Sequence, residues 1–323
     1  MVLKVLLDIY CEDELRNVFH SPLFEIVSQP NRADVVIFQR HDFLQLQQSQ
    51  LFQNNKSKSI TLSQTDRPGF FVPGIYSSNY VHPLSRTRAK TYSYFYQKPG
   101  AKNRYIEAYR NKSLPKKYLF SFIGGCTAPV RHRLIDLYEK PSDSFCVENT
   151  TSLYSHWCSS ANHSQAQRHR QESYVLNVKE SLFYLCPRGA GHGSIRLFEV
   201  MELGTAPVII ADGWIPPDGP DWEEFAIFVP EKDIAKLEEI LEQHRDRAKA
   251  MGIKAKQAFE TYFADDRRAA ELHRLIQEIM TARDERYETF IRSIFPLFYF
   301  NSRAKESIKT LAKYLLKLAG LRR

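Results

Sequence analysis

Residues 181–212, SLFYLCPRGAGHGSIRLFEVMELGTAPVIIAD, restrict the fold more than any other stretch of the chain. An apolar run from Leu182 to Cys186 enters a turn that holds Gly189, Gly191 and Gly193. Ser194 then stands where a helix N-cap belongs, and Leu197, Phe198 and Met201 recur at helical spacing. Gly204 stops the helix, and Pro207 to Ile210 reads as a second buried strand. This is a β–loop–α–β unit with a glycine-rich first loop. Glycines let a backbone come close to a ligand, and the helix N-terminus behind them offers N–H groups and partial positive charge. Arg188 adds a full charge at the mouth. The chemistry prepared here is the holding of a phosphate or diphosphate.

Many α/β proteins use glycines at such a loop only to make the turn, and the loop alone does not separate the two readings. The spacing departs from G-x-G-x-x-G, and no Gly-Lys-Ser/Thr follows to make a P-loop. Glu199, in the second turn of the same helix, favours a nucleotide. A carboxylate there can accept hydrogen bonds from both hydroxyls of a ribose while the helix tip holds phosphate. The plain alternative is a solvated helix residue.

The chain of 323 residues is long enough for two ordinary domains, and 43% hydrophobic with 25% charged residues is a soluble globular composition. No apolar stretch is long enough to span a bilayer, and MVLKVLLDIYCEDE reads as a first buried strand rather than a signal peptide. The expected location is cytoplasmic. Five scattered cysteines show neither CxxC pairs nor a disulfide framework. His156, Cys158, His163 and His169 cluster in one polar segment but match no standard zinc spacing, so no metal is expected. Of the net charge of +8, most lies in residues 303–323, where seven Lys and Arg face Glu306 alone. A nearly neutral body argues against a nucleic-acid partner.

Val2 to Ile9, Ala33 to Phe38 and Ser59 to Leu62 read as buried strands, and residues 66–88 as loop. Tyr105 to Tyr109 reads as a helix closing a first domain. A second strand series starts at Tyr118, where YLFSFIGG meets a Gly-Gly turn and VRHRLIDLYEK follows as an amphipathic helix. Residues 141–172 are polar and poor in pattern, Phe225 to Val229 is a short strand, and Glu231 to Gln243, Asp246 to Phe263 and Arg267 to Ala282 read as helices. The expectation is an α/β protein of two Rossmann-like doubly wound domains facing a cleft. The first covers residues 1–115, the second 116–282, and a basic helical extension 283–323. Ligands of such sheets sit beyond the strands' carboxyl ends, where Gly124–Gly125 and Gly189–Gly193 fall.

KKYLFSFIGG, then Arg131 with Leu134–Ile135, then SLFYLCPRGAGHGSIRLFEVMELGTAPVIIADGW and DWEEFAIFVPEKDI resemble the exostosin-type glycosyltransferases in order and spacing, over residues 116–242. The resemblance implies a GT-B fold and an inverting transfer of a sugar from a nucleoside diphosphate, UDP being the expected carrier. It implies a diphosphate held without an essential metal or other cofactor, and no Asp-x-Asp motif occurs in the sequence. Carried over, Arg188 and the loop Gly189, Gly191, Gly193 and Ser194 would grip the diphosphate, Glu199 the ribose, and Arg131 would be a second phosphate contact. Arg196 would aim at phosphate or form a surface salt bridge. Such charge-assisted contacts stabilise the leaving group as negative charge builds on it. The animal members are anchored in the Golgi, and where many relatives read LPF after the tryptophan this chain reads IPPDGPDW.

An inverting step needs a carboxylate or histidine near the acceptor hydroxyl, or a very dissociative transition state. Asp66, at the end of the third N-terminal strand, is the candidate, against the reading of an Asp capping the turn before Pro68; His192 is a rival. Trp214 and Cys186 read as packing residues. In the tail, the aromatic run FIRSIFPLFYF precedes a helix with Ile308, Leu311, Leu315 and Leu318 on one face and lysines elsewhere. Residues 290–323 thus suit an anionic membrane surface at the inner face, or an apolar stripe packed on the N-terminal domain. The expected activity is glycosyl transfer to a glycan or lipid-linked glycan in polysaccharide synthesis, the alternative a catalytically silent nucleotide-sugar-binding subunit.

Overall fold

The computed structural model describes residues 2–9, 14–39, 43–66, 68–85, 88–95, 102–153 and 165–297. The apolar runs become the strands of two wholly parallel sheets. The first holds β1 (Leu3–Asp8), β2 (Phe24–Ile26), β3 (Val35–Gln39), β4 (Ser59–Ser63), β5 (Gly74–Tyr76) and β6 (Ala89–Thr91), in the order β2-β1-β3-β4-β5-β6. β3 and β4 are buried along their whole length, as strands covered on both faces must be. The second holds β7 (Tyr118–Gly124), β8 (Phe145–Asn149), β9 (Ser181–Pro187), β10 (Ala206–Ile210) and β11 (Ile227–Phe228), in the order β11-β10-β9-β7-β8.

Both sheets are doubly wound, as the sequence reading expects. Each follows the 2-1-3-4-5 order, not the 3-2-1-4-5-6 order of the dinucleotide-binding sheet. The winding therefore reverses between β1 and β3, and again between β7 and β9, and the β7–β9 crevice is where a ligand of the second sheet belongs. One hydrophobic core passes from Ile60, Ile75 and Tyr92 of the first unit to Phe198, Phe263 and Leu272. A backbone clasp adds to it: Val81 N–H donates to Gly213 O at 2.8 Å, and Ile215 N–H to Asn79 O at 3.2 Å.

The chain crosses between the units more often than the sequence implied. The helix Arg104–Tyr109, expected to close the first domain, packs on the helix Gln165–Glu180 of the second unit. There Asn103 Nδ2 donates to Gln171 O at 2.8 Å and Tyr109 Oη to Glu172 Oε1 at 2.9 Å. The helix Arg268–Thr281, expected in the second domain, lies against β5 and β6 of the first. Helical residues 285–297 stay on that unit, with Ile291 and Phe295 buried in its core and Arg88 paired to Glu288 inside it. Of the segment 290–323, residues 290–297 thus pack on the first unit; residues 298–323 lie outside the described residues.

β2, β5, β6, β8 and the helix Gln165–Glu180 are absent from the sequence reading. The strands are three residues long, or five for β8, and are held by the ladder of an already formed neighbour rather than by an apolar pattern of their own. The helix buries Gln171, Asn177 and Lys179 beside Tyr174, Val175 and Val178, which erases the apolar stripe.

Candidate active site at the carboxyl edge of the second sheet

β9 ends at Pro187, residues 188–193 turn, and Ser194 caps the helix Ile195–Glu202. The Ser194 side chain makes no capping hydrogen bond. Three arginines surround this loop. Arg131, on the helix Pro129–Tyr138, is buried and spans the β7–β9 crevice: its Nε donates to Arg188 O at 3.0 Å, Nη1 to Gly125 O at 3.2 Å and Nη2 to Pro187 O at 3.0 Å. The residue expected as a second phosphate contact is therefore a strut holding both glycine turns. Burial, with the repulsion of Arg196, lowers its pKa to about 10, so it remains a cation at neutral pH.

Arg188 forms a two-pronged pair with Glu231, Nε to Oε1 at 2.5 Å and Nη2 to Oε2 at 3.2 Å. Glu231 is in turn fixed by Asp212, whose carboxylate accepts from Glu231 N–H at 3.0 Å. Sequence reasoning missed Glu231, although it lies three residues beyond β11 in the quoted DWEEFAIFVPEKDI string. The rule that selected Asp66, a carboxylate beyond a strand's carboxyl end, selects Glu231 as well. Arg196 is half-buried with its guanidinium 4.7 Å from the Tyr174 ring centre. Burial alone would lower its pKa; Tyr174, Tyr184 and Glu199 more than offset that and raise it. Glu199 receives a hydrogen bond from Tyr174 Oη at 2.9 Å and faces a crevice lined by Ser93, Tyr94, Lys102, Ile195 and Phe198.

Two of the glycines also meet the first unit. A Cβ on Gly193 would strike the Ser77 carbonyl and lie 2.9 Å from Tyr94 Oη; one on Gly191 would strike Ser78 Oγ and lie 2.8 Å from Asp66 Cα. Both close approaches are to the first unit, so these glycines let the two units meet. A Cβ on Gly189 would lie 3.2 Å from the Thr127 hydroxyl and 3.5 Å from the Arg131 guanidinium. Asp66 lies beyond β4 opposite Gly191, and its charge acts on both Arg131 and Tyr94. Tyr94 shares a 2.7 Å hydrogen bond with Ser78, and burial raises its pKa to about 12. His192 stacks on Tyr80 at 4.2 Å, and burial followed by Arg188 lowers its pKa. Trp214 and Cys186 are buried, as expected of packing residues.

Among the described residues no group of three or more His, Cys, Asp or Glu could hold a metal ion. His156, Cys158 and His163 lie outside the described residues. No helix among the described residues is long and apolar enough to cross a membrane.

The model of the exostosin GT47 domain matches residues 106–244. A rice protein (Oryza sativa subsp. japonica) named "Probable glucuronosyltransferase" is 44% identical over 71 residues, 21% of this chain and 17% of that protein. An exostosin-1 homolog of Caenorhabditis elegans is 30% identical over 159 residues, 46% of this chain and 41% of the relative. The chain thus matches well under half the length of these curated relatives. A crystal structure of Acinetobacter baumannii MurG aligns with 85% of this chain and 99% of its own at a TM-score of 0.40 and 10% identity.

Proposed function

We propose that the chain is a glycosyltransferase that binds a nucleoside-diphosphate sugar between its two units, because residues 106–244 match the model of the exostosin GT47 domain. The observation that carries this reading is the gathering of Arg131, Arg188 and Arg196 around the loop at the winding reversal of the second sheet, with Asp66 facing that loop from the first. Arg196 and Arg131 repel each other there, so a diphosphate would relieve a cost already present. Arg188 and the turn of Ser194 bind the diphosphate, with Arg196 behind them. Glu199, oriented by Tyr174, takes the ribose hydroxyls.

In the transfer step the acceptor hydroxyl oxygen attacks the anomeric carbon while Asp66 takes its proton. The bond from that carbon to the diphosphate oxygen breaks, and its electron pair leaves with the diphosphate. The guanidiniums stabilise that charge as it develops, and no metal is required. The product is inverted, because attack and departure are on opposite faces. The acceptor is a glycan or lipid-linked glycan of a growing polysaccharide, in keeping with the glucuronosyltransferase and exostosin names of the relatives.

Calorimetry of UDP, GDP, ADP and CMP in EDTA, on the wild type and on Glu199→Ala, tests the site. One nucleoside diphosphate should bind at micromolar affinity without metal and lose about tenfold in the variant. Absence of binding by all four would remove the site assignment.

A further inference from the structure

A second concentration of positive charge lies at the opposite edge of the second sheet. A groove of about 630 Å³ opens between the chain before β7, the start of β9 and the helix Ala248–Tyr262. Arg110, Lys112, Lys116, Lys179, Lys249 and Lys256 line it, and Glu260 is the one carboxylate among its lining residues. Leu114, Leu182 and Ile253 supply apolar wall. β9 is seven residues long, so at ~3.3 Å per residue the groove is roughly 20 Å from Arg188. One anion cannot reach both.

Lys116 and Lys179 are held in place by carbonyl groups, and Lys256 by carbonyl groups and Glu260. Lys116 Nζ donates to Lys179 O at 2.8 Å and Ser181 O at 2.7 Å. Lys179 Nζ, on a buried side chain, donates to Leu203 O at 2.8 Å. Lys256 Nζ donates to Asn111 Oδ1 at 2.7 Å and to Arg110 O at 3.3 Å, with Glu260 at 3.8 Å. An ammonium has three N–H groups, so Lys116 keeps one donor and Lys179 two beyond these carbonyl bonds. The three form a chain of like charges. Desolvation and then Lys179 lower Lys116 to about 8, and desolvation and then Lys256 lower Lys179. Cations fixed at a shared groove, two of them with donors to spare, and a single lining carboxylate, Glu260, which pairs with Lys256 and Arg110, suit a multiply charged oxyanion.

We propose that this groove binds a phosphoryl group, as a site separate from the one at Arg188. The ligand is a phosphate or phosphate ester whose oxygens accept from Lys116 and Lys179, with Lys256 adding charge, and whose apolar part rests on Leu182 and Ile253. A free pyrophosphate and a phospholipid headgroup share this chemistry, and two arms of one experiment distinguish them.

Pyrophosphate is titrated calorimetrically into the full chain with UDP saturating the cleft. Separately, the chain is sedimented with vesicles of phosphatidylcholine alone or mixed with phosphatidylglycerol. The variants are Lys179→Met with Lys256→Met, which keep the stems, and Lys249→Glu at an exposed position that disturbs no carbonyl contact. Binding in either arm that falls about tenfold or more in both variants supports the proposal. A fall confined to pyrophosphate identifies a soluble ligand, and a fall in sedimentation with the mixed vesicles identifies a headgroup. Lys249→Glu keeps the test decisive if the paired methionines impair folding. Binding unchanged in Lys249→Glu, or no binding of either probe by the wild type, overturns it.

Discussion

At Gly193 the two units approach closely, with the Ser77 carbonyl and Tyr94 Oη occupying the space a side chain would need. Gly193→Ala should leave each sheet folded but push the loop off the first unit, costing about 1–3 kcal/mol in urea unfolding. The same displacement should weaken nucleotide binding. Equal stability and affinity would mean that the loop moves aside freely. Glu231 competes with any anion for Arg188, so Glu231→Gln should tighten nucleoside-diphosphate binding several-fold in calorimetry while lowering stability slightly. Weaker binding would show that Arg188 needs Glu231 to orient it.

His192 and His82 set a pH dependence. Burial lowers both, and Arg188 lowers His192 further, so the folded chain resists protonation that the unfolded chain accepts near pH ~6.5. Their contribution is complete above that value. It is lost as pH falls through the unfolded pKa toward the lower folded values, because the unfolded state then binds more protons. Melts between about pH 7.5 and 5.5 should show stability falling with acid. His192→Phe, which keeps the stack on Tyr80, should flatten the slope in part; an unchanged slope would assign it elsewhere.

At the scale of elements, β7 and β9 are parallel neighbours whose carboxyl ends carry the two glycine turns, and Arg131 ties those turns together through three carbonyl oxygens. Arg131→Met should cost about 3 kcal/mol or more, since it removes charge-assisted bonds and strands buried acceptors. Arg131→Lys should rescue little, because one ammonium lacks the planar fork that spans the crevice. Urea unfolding of both variants measures this. A loss near zero would mean that the turns are held by the sheet alone.

At the scale of the molecule, two C-terminal helical segments return to the first unit, and the buried Arg88–Glu288 pair seats the second of them. Arg88 also donates to Phe70 O at 2.8 Å and Phe71 O at 3.2 Å. Arg88→Met alone leaves a buried carboxylate unpaired and should cost about 3–5 kcal/mol. Adding Glu288→Leu should recover much of that in thermal melts, since the isolated charge is then gone. No recovery would place the loss in the carbonyl contacts instead.

Local chemistry was legible in the chain: the buried strands β1, β3, β4, β7, β9 and β10, the loop after β9 with its helix, and the family likeness of its motifs. Each follows from a short run of side chains whose periodicity or spacing has one physical reading. The tertiary structure alone decided what depends on distant partners. It showed that Gly191 and Gly193 face the first unit, that Arg131 spends its donors on carbonyls, that Glu231 holds Arg188, and that residues 285–297 complete the first core. It also gathered Lys116, Lys179 and Lys256 into one groove from three separate segments. Spacing along a chain determines how a strand or helix presents its own residues; what those residues meet is set by the order of strands and the return of the last helices.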